Sequence, residues 1–310
     1  MAVRSHADGR LRGAVAICLG ALAFNGVDVI IKLLSGAYPL YEFLLVRAFA
    51  TLPFVSLALL GRGGLRGLRP VRPGLVLLRS LLMFTGSVLF ALGLATIALA
   101  DAVSIYFILP MVVAGLAGLV LGERVPAYRW AAILAGFVGV LVIVRPGSGI
   151  FEWAALLIVA CAVVEALGQV IARKLTGETT ASVAFHQNAV ALVGALAMAL
   201  AFGGGGAHAD LHPSLAFLVR PWQTPTAADL ALMIAAGPIT AAAMLLYVEG
   251  YKSAPASFSA SFEYAGLIWA TLLGWLFFAD LPTPSVLAGA AIIVAAGLFM
   301  LHRDSRALRL

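Results

Sequence analysis

The chain has 310 residues, of which 63% are apolar and only 11% are charged, and its formal net charge is +6. About a quarter of the residues in soluble domains are charged, so this composition excludes an ordinary soluble enzyme or binding domain. Helices are the economical way to satisfy backbone amides in hydrocarbon. The composition therefore predicts an all-α fold and a polytopic membrane protein.

A helix that spans the membrane needs roughly 20 apolar residues, and ten segments of the chain meet this requirement. In chain order these predicted spans cover residues 12–34, 39–60, 74–98, 101–121, 128–145, 152–173, 180–202, 227–249, 256–278 and 284–301. Their connections are short except for residues 203–226, whose glycines and prolines indicate a flexible loop. We expect ten transmembrane helices and no separate soluble domain.

Two halves of the chain carry matching motifs at equivalent places. Gly122-Glu123-Arg124-Val125-Pro126 precedes span five, and Phe278-Ala279-Asp280-Leu281-Pro282 precedes span ten. These motifs predict a first repeat at residues 1–147, a second repeat at 148–303 and a cytoplasmic tail at 304–310. Because each repeat contains five spans, the second enters the membrane from the opposite side. An inverted repeat is typical of secondary transporters.

Positive charges in the connections lie almost entirely on one side of the predicted membrane. With the N-terminus in the cytoplasm, the outside connections contain only Arg145 and Arg220 as cations. This distribution obeys the positive-inside rule and predicts that both termini are cytoplasmic. The basic stretch from Arg62 to Arg72 is a short loop without interleaved aromatic residues, so we expect no nucleic-acid partner.

Four ionisable residues fall near the outer ends of spans one and two. A charge near the bilayer centre costs at least about 2.5–3.5 kcal/mol and therefore needs a partner or water. The helical rise places Asp28 and Arg47 in one layer roughly 10 Å below the outer surface, and Lys32 and Glu42 in a shallower layer. We expect two stacked ion pairs that act in gating or as a static clamp. A pair within one helix, between Asp28 and Lys32, is the alternative.

A second group of ionisable residues falls toward the inner side, on the order of 10 Å from the cytoplasmic face by the same rise. Its members come from four different spans: Arg79, Glu165, His186 and Glu263. The polar residues around them are Tyr106, Gln169, Gln187, Asn188 and Tyr264. Both signs of charge at one depth predict a cavity that binds a polar or zwitterionic solute. Glu165 and Glu263 are candidates for proton coupling, and the alternative is that Arg79 and Glu165 only neutralise each other.

Two further residues of the spans are candidates for the site. Pro110 lies in the middle of span four and removes a backbone hydrogen bond, so we expect a break that permits bending. Trp269 lies inside span nine near Glu263 and could stack against a planar ligand, although packing within the span is the alternative. Cys18 and Cys161 fall inside spans one and six and indicate neither a disulfide framework nor a metal site.

The order of several motifs resembles that of a known family. Lys32, Arg47, Gly122-Glu123-Arg124, Gly136 to Gly139 and Phe278-Ala279-Asp280 resemble the drug/metabolite transporter superfamily in its ten-helix EamA-repeat form. The stretch from Tyr38 to Phe43 with Arg47, Arg72-Pro73 with Arg79, and Arg145-Pro146-Gly147 resemble its bacterial metabolite-carrier branch. That branch includes permeases for riboflavin and S-adenosylmethionine. The resemblance implies alternating access through a central cavity, without nucleotide hydrolysis.

These patterns together predict a secondary-active transporter of a small polar or zwitterionic metabolite. The candidate solutes are an amino acid, riboflavin, S-adenosylmethionine or a drug-like compound. We expect a bacterial inner (cell) membrane location, a coupling proton, no cofactor or metal, and a monomer or homodimer. The chain lacks the Gly-x-Ser-Gly site of an intramembrane serine protease, and we expect no enzymatic activity. A passive channel is the alternative that hydropathy leaves open.

Overall fold

The computed structural model describes residues 2–64, 68–121, 126–145, 153–175, 177–204, 211–253 and 262–307. These residues form helices and connections, without a β-strand. The helices are α1 (Ala2–Leu34), α2 (Leu40–Gly63), α3 (Pro73–Leu94), α4 (Leu99–Tyr106), α5 (Leu109–Leu121), α6 (Ala127–Val144), α7 (Ala154–Ala172), α8 (Thr180–Phe202), α9 (Pro213–Val219), α10 (Ala227–Ser253), α11 (Ala265–Phe278) and α12 (Pro284–Ala307). The protein is therefore all-α, as its composition predicts.

Apolar helices lie at all ten positions where the sequence predicts membrane spans. Seven of the described helical segments are long and apolar enough to cross a membrane: Leu11–Leu34, Leu40–Gly61, Pro73–Leu94, Ala127–Val144, Ala154–Ala172, Thr180–Phe202 and Ala227–Tyr247. Three shorter apolar segments, Leu99–Val113, Ala265–Phe278 and Pro284–Met300, lie at the other three positions. The first residues predicted for span nine, 256–261, lie outside the described residues. The chain is a polytopic membrane protein.

Span four is divided into two helices close to Pro110. The first of them, α4, ends at Tyr106, and α5 begins at Leu109, so that Pro110 occupies its second position. Proline has no N–H to donate and is tolerated in the first turn of a helix, where that donor has no intrahelical acceptor. The N–H groups of Met111 and Val112 both donate to the carbonyl oxygen of Ile108, at 3.0 and 3.1 Å. The interruption therefore coincides with the position at which the sequence predicts a break.

The connection between α8 and α10 contains helical structure that its composition does not indicate. It contains the short helix α9, which begins at Pro213 after the N-cap residue His212. Phe217 of this helix is buried. The prediction of a flexible loop is wrong for this part, because a proline at the first helical position and a buried aromatic ring stabilise a helix that glycine and proline counts do not reveal.

The chain divides into two compact units, and each unit contains residues from both predicted repeats. Unit A consists of Val27–Ile97 and Trp153–Ala241, and unit B consists of Met1–Gly26, Ala98–Glu152 and Ala242–Leu310. The predicted repeat boundary after residue 147 is a separate division of the chain and stays a prediction.

Unit A is built around α3, which packs against α7 and α8. Met83 of α3 lies against Gly168 of α7, Gly86 against Glu165, and Gly93 against Ile158. Residue numbers rise along α3 while they fall along α7, so the two helices are antiparallel. The glycines allow the close approach that helices in membranes use for packing.

Unit B contains two antiparallel helix pairs. Between α4 and α11, Leu99 lies near Gly274 and Phe107 near Gly266. Between α6 and α12, a Cβ added at Gly139 would lie 2.8 Å from the Gly289 carbonyl oxygen. These pairs correspond to spans four and nine and to spans five and ten, which are equivalent in the predicted repeats. Equivalent spans of an inverted repeat run in opposite directions, and the repeat itself stays a prediction.

Candidate functional site

Two charged side chains of unit A, Arg79 and Glu165, belong to helices that pack against each other, α3 and α7. Arg79, Met83 and Gly86 are separated by four and three residues, a spacing that places them on one face of α3. This face carries a guanidinium group at Arg79 and open space for a neighbouring side chain at Gly86. The antiparallel register of α3 and α7 then brings Glu165 beside it.

Arg79 is half-buried and is held from one side by an uncharged residue. Its Nη1 atom donates a hydrogen bond of 2.8 Å to Oε1 of Gln187 on α8. Its Nε atom is buried and has no hydrogen-bond partner among the described residues. The guanidinium group is also attracted electrostatically by Glu165. An unmet donor in a buried arginine is costly, by about 1–3 kcal/mol, and identifies an edge of the side chain that can bind an acceptor.

Glu165 is buried on α7, with 9% of its surface exposed. Its side chain lies against Gly86 of α3, and the position of a Cβ added at Gly86 would be 2.8 Å from Oε1 of Glu165. Cys161, one helical turn earlier, forms a side-chain hydrogen bond with Glu165. The carboxylate therefore lies inside the α3–α7 packing and not on the outer surface of the helix.

Asp28 and Arg47 extend this arrangement within unit A. The two side chains, both partly buried, attract each other electrostatically. Asp28 also experiences the charge of Glu165, which repels it. Asp28 thus joins the outer and inner groups that the sequence predicts separately. We call Asp28, Arg47, Arg79 and Glu165 the charge network.

Other predicted site residues of unit A have different surroundings. His186 is partly buried, and its Nδ1 atom lies 2.7 Å from the Ser182 carbonyl oxygen, so this nitrogen carries the proton. Gln169 is exposed, one turn after Glu165. Asn188 is buried and donates a hydrogen bond of 3.0 Å to the Ala48 carbonyl oxygen, which links α8 to α2. Among these residues, Asn188 therefore has a clear role in helix packing.

Lys32 and Glu42 contact the ends of other segments in unit A. Lys32 donates a hydrogen bond of 2.9 Å to the Ile97 carbonyl oxygen. The Oε2 atom of Glu42 accepts one of 3.1 Å from the backbone N–H of Gln223. Glu42 is fully buried, and its Oε1 atom has no hydrogen-bond partner among the described residues. Glu42 therefore fixes the segment that follows α9 to the start of α2.

Arg220 strengthens the same attachment. Its Nη1 atom donates hydrogen bonds to the carbonyl oxygens of Ser35 and Tyr38, at 2.9 and 3.1 Å. The carbonyl oxygen of Arg220 accepts a hydrogen bond of 2.8 Å from the Tyr41 hydroxyl. Burial lowers the pKa of the Arg220 guanidinium group. The Tyr38 hydroxyl donates to Asp229 at 2.6 Å. We call Tyr38, Tyr41, Glu42, Arg220, Gln223, Thr226 and Asp229 the loop-anchoring cluster.

The remaining predicted site residues lie in unit B. Trp269 donates a hydrogen bond of 3.0 Å from its indole nitrogen to the Cys18 carbonyl oxygen, which fixes the ring against α1. The ring of Tyr264 packs on Phe107, with 5.1 Å between centroids. Tyr106 ends α4, Pro110 starts α5, and Glu263 lies just before α11. Tyr106, Pro110 and Glu263 are all partly buried.

Sequence reasoning missed two residues that shape the site. Gly86 was not singled out, because a glycine in an apolar span has no chemical signal of its own. Cys161 has the sequence signature of neither a disulfide nor a metal site, yet it is one turn from Glu165 and contacts it. The i, i+4 spacing of Cys161 and Glu165 is a sequence signal that could have predicted their contact.

Comparisons with known proteins agree with this architecture. The model of the EamA-like transporter family matches residues 11–145. A "Riboflavin transporter" from Rhizobium johnstonii is 32% identical over 303 residues, which cover 95% of this chain and 92% of the relative. An "S-adenosylmethionine uptake transporter" from Rickettsia bellii is 26% identical over 295 residues, 94% of this chain and 93% of the relative.

A solved crystal structure has the same fold along nearly the whole chain. It superposes with a TM-score of 0.62 at 21% sequence identity and covers 97% of this chain and 99% of its own. The near-complete coverage of the relatives, together with the family match, gives the assignment. The chain belongs to the EamA-like transporter family, and it is a membrane-embedded transporter of small metabolites and not an enzyme.

Proposed function

We propose that the protein is a secondary-active carrier, that it moves its solute by alternating access, and that the charge network binds the polar part of that solute. One observation carries this proposal: among apolar helices of unit A, Asp28 interacts electrostatically with Arg47 and Glu165, and Glu165 interacts with Arg79. Charges within membrane spans are costly, and they mark substrate or ion pathways by default.

The balance of the charge network favours one class of solute. Two arginines and two carboxylates have no net formal charge when all four are ionised. A solute of high net charge would leave one sign uncompensated in a medium of low dielectric constant. We therefore propose a polar or zwitterionic metabolite of low net charge. Riboflavin and S-adenosylmethionine are the first candidates, because relatives that cover nearly the whole chain carry these names.

Arg79 and Glu165 have complementary roles in the proposed binding of the solute. Arg79 presents planar donors, one of which is held by Gln187 while the Nε donor has no partner among the described residues. Such an edge suits the carboxylate of S-adenosylmethionine or the ring carbonyl oxygens of riboflavin. Glu165 accepts hydrogen bonds and therefore suits an ammonium group or a hydroxyl. Asp28, Lys32, Glu42, Arg47 and Pro110 remain candidates for gating.

Coupling and topology are part of the same proposal. Glu165 and Glu263 are candidates to carry the coupling proton, because a buried carboxylate can bind a proton in one conformation and release it in another. We also propose that both termini lie in the cytoplasm of a bacterium, a topology that the positive-inside distribution favours. The solute contacts predicted for Tyr106, Gln169, His186, Tyr264 and Trp269 are hypotheses that do not depend on the charge network.

The proposal is tested with the purified protein in proteoliposomes. Radiolabelled riboflavin and S-adenosylmethionine are supplied outside, with and without an imposed proton gradient. We expect one of them to accumulate above its external concentration, and an uncoupler to abolish that accumulation. Equilibration without accumulation under every gradient would identify a passive channel. Normal accumulation by variants that lack both Arg79 and Glu165 would remove the charge network from the mechanism.

A further inference from the structure

We propose that Gly86 is a positioning residue of the solute site, because the absence of a side chain there determines where the carboxylate of Glu165 lies. This inference rests on the proposed function, in which Glu165 binds the solute. Gly86 itself contacts no solute in this scheme. It acts through Glu165, across the interface of α3 and α7.

The geometry at Gly86 leaves no space for a methyl group. A Cβ added at this glycine would overlap the Cγ atom of Glu165 and would lie 2.8 Å from Oε1 and 3.0 Å from Cδ. Atoms of real side chains essentially never approach a Cβ below 3.0 Å. All three atoms belong to one side chain, so an alanine at this position must displace the whole carboxylate arm.

Glu165 cannot move away without losing its other contacts. It is buried, it contacts Cys161 on its own helix, and it attracts Arg79 of α3. A displaced carboxylate therefore changes its separation from the guanidinium group. Binding groups must be held within about 0.5 Å of their productive positions to act together. The missing Cβ of Gly86 is thus a condition for the observed placement of Glu165.

Gly168 provides a matched control in the same helix interface. A Cβ added there would lie 3.0 Å from the Sδ atom of Met83 and 3.6 Å from its Cγ atom. Methionine is unbranched and flexible, so its thioether end can move aside. Gly168→Ala therefore inserts the same methyl group between α3 and α7 without contact with Glu165.

The test is a set of variants in proteoliposomes, which take up the radiolabelled solute that the wild-type protein transports. Gly86→Ala should raise KM about tenfold, which corresponds to a loss of about 1.4 kcal/mol of binding free energy. Glu165→Asp should also raise KM, because the shortened carboxylate no longer reaches its place. The double variant Gly86→Ala/Glu165→Asp should transport better than either single variant, since the methyl group then occupies the space of the missing methylene. Gly168→Ala should stay within about twofold of wild type and should not rescue Glu165→Asp.

The outcomes separate positioning from packing. Additive losses in the double variant, or rescue of Glu165→Asp by Gly168→Ala, would overturn the inference. If Gly86→Ala does not fold, a folded double variant supports the inference and an unfolded one contradicts it. The same variants and the wild type are also heated in detergent without solute. The wild type could fail to transport any solute tested, which would contradict the proposed function. Non-additive changes in the unfolding temperature of the Gly86→Ala/Glu165→Asp double variant would in that case still support the positioning role of Gly86.

Discussion

The charge network and the loop-anchoring cluster both belong to unit A, yet the hydrogen-bond donors of their arginines have different partners. In the loop-anchoring cluster, Arg220 and Tyr38 make short hydrogen bonds to fixed main-chain or carboxylate oxygens, between 2.6 and 3.1 Å. In the charge network, Arg79 bonds to one neutral side chain and retains a buried Nε donor without a partner among the described residues.

This difference in hydrogen bonding indicates which residues contribute to the stability of the fold and which are available to bind solute. Donors that are already bound to main-chain oxygens contribute to folding and have nothing left for a solute. A buried donor without a partner among the described residues, such as Nε of Arg79, is available to an acceptor that a solute supplies. We therefore expect substitutions in the charge network to change transport, and substitutions in the loop-anchoring cluster to change stability. The following predictions test that separation, from the largest expected effect to the smallest.

Arg79→Ala should have the largest effect and reduce transport to the background of empty liposomes. The substitution removes both the donor edge proposed for the solute and the positive charge that attracts Glu165. Initial uptake rates of the candidate solutes measure the effect. Arg72→Ala is the control, because Arg72 is an exposed arginine at the start of the same helix. Equal losses in the two variants would contradict a specific role for Arg79.

Glu165→Gln should reduce transport at subsaturating solute by at least about tenfold, a change of roughly 1.4 kcal/mol. Glutamine keeps the shape of the side chain but cannot provide its charge or carry a coupling proton. The variant should remain folded in detergent. Glu178→Gln, the same substitution at the connection between α7 and α8, should transport normally. Wild-type rates for Glu165→Gln would remove this carboxylate from the proposed mechanism.

Arg220→Ala should destabilise the protein without weakening solute binding. It removes two hydrogen bonds from a charged donor to the carbonyl oxygens of Ser35 and Tyr38. Hydrogen bonds of charged groups contribute about 1.5–3 kcal/mol to stability, and we expect a loss of that size in the free energy of unfolding. Denaturation in detergent, followed by tryptophan fluorescence, measures it. Unchanged stability together with a raised KM would reverse the roles assigned to the two clusters.

Tyr38→Phe should have the smallest effect. The hydroxyl group donates to Asp229 and accepts from the backbone N–H of Thr226, at 2.6 and 3.2 Å. A typical intramolecular hydrogen bond contributes about 0.5–1.5 kcal/mol, and Thr226 also donates to Asp229 through its own hydroxyl. We expect a loss within that range by the same denaturation assay. A loss as large as that of Arg220→Ala would show that the tyrosine, and not the arginine, anchors the loop.

The sequence predicts the architecture well because hydropathy and proline act locally. An apolar helix lies at the position of each predicted span, with span four divided into α4 and α5, and the predicted span at 180–202 has the bounds of α8. The break near Pro110 follows because proline has no backbone N–H to donate within a helix. These features depend on a few neighbouring residues, so they can be predicted without knowing the packing.

The site is harder to predict because it depends on the register between helices. A depth calculation along each span places Asp28 and Glu165 in separate layers, since it contains no information about tilt or about which helices are neighbours. The antiparallel register of α3 and α7 determines that Gly86 faces Glu165. Arg220 contacts residues more than 180 positions earlier in the chain, which composition cannot reveal.

The most direct test of the proposed site is solute binding by the wild type and two variants under identical conditions. Binding of radiolabelled riboflavin and S-adenosylmethionine is measured on purified wild-type protein, Arg79→Lys and Arg220→Ala. Lysine keeps the charge of Arg79 but loses its planar donors. We predict that Kd rises at least about tenfold for Arg79→Lys, equivalent to roughly 1.4 kcal/mol, and stays within twofold for Arg220→Ala. Equal affinity of wild type and Arg79→Lys would contradict the assignment of the charge network as the solute site.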